Sequence, residues 1–178
     1  MTSILKVSEI QDPTNGNTAM TIDSNGLVLP KKVAFQAIAT DTDQSYTASA
    51  YAKILWESVE LDTASYWDST NNRYTPQVAG WYLFGGQLRF QTLSGSVTLV
   101  AFNLAKNGAT NNSTALMAQF QTSADTFTNG EYPLPTGMIQ LNGSSDYVEA
   151  FFQSEENCTI HDNASRKSFF WGMLVHPT

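Results

Sequence analysis

The sequence predicts an all-β protein: an antiparallel jelly roll of about ten short strands, preceded by a short N-terminal β-hairpin segment. Three observations carry this. Charged residues make up only 14% of the 178 residues while aromatics reach 12%, and the polar remainder is Asn, Thr, Ser, Gly and Gln instead of the Glu, Lys, Leu and Ala that build helices. Short apolar or alternating runs recur with turn residues between them, as in a sandwich or jelly roll. No segment sustains a helical period.

The first 32 residues stand apart and are read as an assembly segment, with the head occupying residues 33–178. Ile4, Leu5, Val7 and Ile10 form a short apolar run, and Asp12 to Asn17 a loop. Ala19 to Ile22 then faces Leu27-Val28-Leu29 across Asn25-Gly26, a strong hairpin turn signal. Such a unit is too small to bury its own apolar side chains. Ile4, Leu5, Val7, Ile10, Ile22, Leu27 and Leu29 are therefore expected to dock on something else.

In the head, strands are expected at 33–39, 52–61, 73–78, 81–90, 97–105, 115–121, 138–141, 146–152 and 168–175. Asn71-Asn72 and Asn107-Gly108 sit where hairpins need positive φ. Gly85-Gly86, inside an aromatic strand, signals a bulge or a close backbone approach.

Several function classes are disfavoured. A net charge of −7 opposes nucleic-acid partners, because phosphate neutralisation needs clustered Lys and Arg, and anionic membranes for the same reason. No apolar run approaches membrane-spanning length, and Met1 to Lys6 does not read as a signal peptide. The single cysteine, Cys158, excludes an intramolecular disulfide and reads as a small buried apolar residue. His161-Asp162 could suggest an acid/base pair, but no nucleophile motif accompanies it, and Glu155-Glu156 reads as a solvated loop. The chain is not expected to be an enzyme.

The stretch from Tyr66 to Phe84 contains Tyr-Trp-Asp, a turn, Arg-Tyr-Thr-Pro, a short loop, and Gly80-Trp81-Tyr82-Leu83-Phe84. With Val33-Ala34-Phe35, Lys53 to Trp56, Phe102 to Gly108, Gly137 to Val148 and Phe169 to Val175, it resembles the ordered elements of C1q-like (C1q/TNF) jelly-roll domains. Ser144-Ser145 interrupt that family's Gly-Asp element, and no Gly-X-Y stalk precedes the head. The resemblance implies a homotrimeric, non-enzymatic binding head, with no cofactor beyond a possible structural calcium. Asp125, Asp146 and Asp162 are the loop-placed carboxylates that could hold the ion.

Ile4 to Asp12 and Gly26 to Pro30 are similar to the N-termini of tailed-phage fibre and decoration proteins. This resemblance implies a virion protein exposed on the extracellular particle. Its partners would be other tail or capsid proteins and a host surface protein or polysaccharide. A tail-fibre or adhesin head for host attachment is the first reading, and a trimeric capsid decoration protein the second. A polysaccharide-degrading enzyme ranks third. Recognition is expected in the loops 40–49, 123–135 and 155–167, with Tyr46, Tyr51, Trp67, Tyr132 and His161 as contact candidates.

Overall fold

A computed structural model of the chain describes residues 7–11, 14, 16, 18–30, 32–39, 43–49, 51–92, 99–108, 115–121, 130–160 and 168–178, and for 29, 30, 92 and 115–121 the backbone course alone. Ile4, Leu5, Asp125, His161 and Asp162 lie outside the described residues. The chain separates into two compact units, Met1–Val33 and Ala34–Thr178.

The first unit is a three-stranded antiparallel sheet of β1 (Glu9–Gln11), β2 (Thr18–Ile22) and β3 (Val28–Pro30), in the order β1-β2-β3. Its turn forms for a local reason. The Asp23 carboxylate accepts from the backbone N–H of Asn25 at 2.9 Å and of Leu27 at 2.8 Å, and Gly26 takes φ +79° without a Cβ penalty.

The second unit contains β4 (Ala34–Ile38), β5 (Gln44–Tyr46), β6 (Ala52–Lys53), β7 (Ser58–Asp62), β8 (Trp67–Asp68), β9 (Arg73–Tyr74), β10 (Ala79–Thr92), β11 (Leu99–Lys106), β12 (Ala115–Gln121), β13 (Gly130–Pro133), β14 (Gly137–Asn142), β15 (Val148–Ser154), β16 (Cys158–Ile160) and β17 (Phe169–Pro177). They form an eight-stranded sheet, β5-β16-β10-β17-β4-β7 with β13 and β14 also on β10, and a six-stranded sheet, β12-β11-β15-β9-β8 with β6 on β15. All the pairings are antiparallel.

Between the sheets lies an aromatic core. Phe35, Tyr82, Phe84, Phe90 and Phe170 of the larger sheet meet Tyr74, Phe102 and Phe152 of the smaller one, all of them buried. Phe35 and Tyr74 stack with centroids 4.1 Å apart, and Phe90 meets Phe152 at 5.5 Å. Cys158 is buried as expected, and burial pushes its thiol up to about 12.

β10 is the spine. Residues 80–87 pair with β17 and 90–92 with β16, while β14 pairs with 79–84 and β13 with 87–90. Gly85-Gly86 lies where β14 gives way to β13, and it is a close approach, not a bulge. The β17 ladder runs through it unshifted, and a Cβ on Gly86 would lie 2.2 Å from the Phe169 carbonyl oxygen. The register shift in that ladder falls between Trp81 and Tyr82.

Two expected strands are corrected. The run 52–61 is not one strand: β6 joins the smaller sheet and β7 the larger, and the chain crosses between them. Ile54 and Trp56 are buried and Leu55 exposed, so the alternation continues through the crossover and imitates a single strand. The backbone there bonds partly to side chains: the Leu55 N–H donates to Gln44 Oε1 at 2.9 Å and the Trp56 N–H to Asn72 Oδ1 at 2.7 Å. The run 73–78 pairs only over β9, because Pro76 has no N–H to donate to a ladder. Asn72 (φ 49°) and Asn107 (φ 55°) take the turn conformations that their sequence positions require.

Candidate interaction surface

The two sheets differ in how far their outer faces are covered. On the six-stranded sheet, β11 and β15 are buried on both faces for most of their length, and the non-core side carries Asn103 and Glu149 among the apolar Ala101, Ala105 and Phe151. Glu149 there is ion-paired with Lys53, whose Nζ also donates to the Asn71 carbonyl at 2.7 Å. Asn103 is also fully buried.

The outer face of the eight-stranded sheet is apolar and open. Strand alternation turns Tyr82, Phe84, Leu88 and Phe90 inward, so Trp81, Leu83, Gly85, Gln87 and Arg89 point outward. Register then aligns Met138, Leu83, Met173 and Ala34 in one cross-strand row, and Gly85, Trp171, Gln36 and Leu61 in the next. Val59, Leu61, Trp81, Met138, Met173 and Val175 are between 36% and 53% exposed. Trp171 is half-buried and lies across Gly85, where an added Cβ would meet the indole at 2.7 Å. An open groove of about 360 Å³ runs among Gln36, Leu61, Trp171 and Met173.

Polar groups stand beside this face. Gln36 donates to Glu60 at 3.0 Å, and Arg89 pairs with Glu131 at 3.6 Å. An apolar face with polar groups at its border is the anatomy of a protein–protein interface. Trp81 and Trp171 belong to it and not to the core, whereas Trp56 and Phe84 are core residues.

The other sequence candidates fall as follows. Tyr46 sits in β5, not in an open loop; its hydroxyl donates to Gln44 Oε1 at 2.6 Å and lies 3.1 Å from the Lys53 carbonyl oxygen, and its ring packs on Phe152. Burial raises its pKa. Trp67, in β8, packs on Phe35 and Phe170 with centroids 5.4 and 6.3 Å away. Tyr132, in β13, packs on Phe90 and Phe102. All three help close the sandwich, while Tyr51 is half-buried between β5 and β6. The segments containing β5, β13 and β16 are therefore in part ladder and not loop.

Asp146 is buried, and protein donors engage both its oxygens. Oδ2 accepts from Lys106 Nζ at 2.7 Å and the Asn142 N–H at 2.9 Å, and Oδ1 from Asn107 Nδ2 at 2.8 Å. Burial works to raise its pKa, but Lys106, Asn107 and Asn142 together outweigh that and hold it below the usual value. Among the described residues, no group of three or more His, Cys, Asp or Glu side chains could hold a metal ion.

No family model and no curated protein matches the sequence. Among solved structures, the globular domain of zebrafish complement 1qA is similar at 13% identity and a TM-score of 0.56, over 83% of this chain and 100% of that one. Murine APRIL, crystallised at pH 5.0, is similar at 10% identity and a TM-score of 0.57, over 82% of this chain and 100% of that one. Likeness at these identities establishes the fold, a C1q/TNF-type jelly roll, and nothing finer. Neither match bears on the N-terminal resemblance to virion proteins.

Proposed function

We propose that this chain is a homotrimeric, non-enzymatic binding head of a virion, serving attachment to a host surface. The observation that carries the trimer is the open apolar outer face of the eight-stranded sheet. Register brings Trp81, Met138, Trp171, Met173 and Leu61 together as one apolar patch, four of them at least 40% exposed. Burying it between three copies in a closed ring removes that surface from water.

The virion setting is supported by the N-terminal sequence, Ile4 to Asp12 and Gly26 to Pro30, and by the compactness of the first unit. In this reading that unit attaches the head to the particle, and the loops of the head meet the host protein or polysaccharide. Trimeric display turns weak single contacts into firm adhesion.

Sedimentation of the full chain tests the trimer. Wild type should run as a trimer, and Met173→Asp and Leu61→Asp as folded monomers. A wild-type monomer at micromolar concentration overturns it. Labelling the chain on particles of the virus that encodes it tests the setting. Label at the tail in low copy supports attachment, label across the capsid lattice makes it a decoration protein, and absence from the particle sinks both.

A further inference from the structure

The N-terminal sheet has one uncharged, largely apolar face. Register places Ile10 beside Met20 in one cross-strand row and Ile22 beside Val28 in another, all on one face. The opposite face is mostly polar, with the ladder aligning Glu9, Thr21 and Leu29 in one row. There Glu9 accepts from Gln11 Nε2 and, at 3.2 Å, from Thr18 Oγ1, and Thr21 pairs with Glu9 in the ladder. Ile10 is 49% and Val28 54% exposed. Three short strands do not bury such a face by themselves.

We propose that this face packs against the same face of sister copies, so that three N-terminal sheets close on one another in a small three-sided core of their own. The inference rests on the head being a trimer. The face carries no charge, so only an apolar partner satisfies it, and an identical copy is one. Residues 31–33 alone separate β3 from β4, so a head trimer holds three such faces at an effective concentration on the order of millimolar. Three-fold closure then covers all three faces, whereas pairing would strand one. Ile10 and Ile22 would thus serve assembly of the trimer, leaving Val7 and Leu27, both exposed, for the particle.

Full-length Val28→Cys, oxidised with diamide, tests this. The native Cys158 is buried and does not interfere. The expected result is an inter-chain disulfide joining two chains of the trimer, seen as a dimer band without reductant. Adding Ile10→Asp should remove most of that band, and Thr21→Cys, on the polar face, should not crosslink. If Val28→Cys stays uncrosslinked while sedimentation reports a trimer, the proposal fails and the head reading stands. Equal crosslinking at Thr21→Cys also overturns it, since the contact would then be collisional. A monomer by sedimentation sinks the head reading itself.

Discussion

Gly86→Ala tests the central geometry of the head. The new Cβ would sit 2.2 Å from the Phe169 carbonyl oxygen, where ordinary contact begins at 3.4 Å, so β10 and β17 must part by about 1.2 Å. The Leu134 side chain at 2.8 Å and the Phe170 Cα at 3.1 Å close the other directions. Parting the strands that far stretches a ladder hydrogen bond from about 2.9 Å to roughly 4 Å, which breaks it. Two neighbouring bonds lost at about 1 kcal/mol each, with about 1 kcal/mol or more of overpacking, give a destabilisation of about 3 kcal/mol. That is a large share of the roughly 5–15 kcal/mol typical of a domain. Gly130→Ala, on the partner strand β13, is the control. Its Cβ would touch only the Tyr132 ring at 3.3 Å, at an ordinary φ, so a change within about 1 kcal/mol is expected. Guanidinium unfolding of both variants, at one protein concentration because the proposed assembly would contribute to stability, reads the difference. If Gly86→Ala is as stable as Gly130→Ala, the close approach of β10 and β17 is wrong.

Three further outcomes follow from the same structure. Burial raises the Tyr82 phenol from 10.0 to about 12 and the Cys158 thiol from 9.0 to about 12, so the folded state keeps protons that the unfolded chain releases. Stability should hold below about pH 9 and fall as pH rises toward 12, and flat guanidinium midpoints between about pH 8 and about pH 11 would refute this. Cys158 should resist iodoacetamide until the head opens; alkylation at the rate of a free thiol in native buffer would contradict its burial. Asp146→Ala strands Asn107 Nδ2 and the Asn142 N–H and leaves Lys106 only the Gln140 carbonyl, and should cost about 2–3 kcal/mol, with Asp146→Asn recovering part; a loss under about 0.5 kcal/mol would show the cluster to be solvated.

Much of the fold was legible because its signals are local. Asn72, Asn107 and Gly26 mark turns through the φ they adopt, and the aromatic alternation in 81–90 marks a half-buried strand whatever it pairs with. Gly85-Gly86 was legible as a bulge or a close approach, since glycine permits both, and the unshifted β17 ladder decided for the close approach. Ladder partners are another matter, since they join residues far apart in the chain. Nothing local says that Ala52–Lys53 joins the smaller sheet and Ser58–Asp62 the larger, because Ile54 and Trp56 keep the period of two while the chain crosses. Nor does sequence say that the short β5 and β16 pair, which makes Tyr46 a packing residue.

The interaction surface was the least legible part. Trp81 and Trp171 read equally as core or as interface residues, since a period of two separates two faces without saying which one is covered. Only the stacking of the six-stranded sheet on the side of Phe35, Phe84 and Phe170 decides that Trp81, Trp171 and Met173 are left facing outward. The sequence by itself determined the fold class, most of the long strands, the turns and the aromatic supply of the core. The tertiary structure decided which apolar face was buried and which was left exposed, because burial depends on what packs against a strand and not on the strand alone.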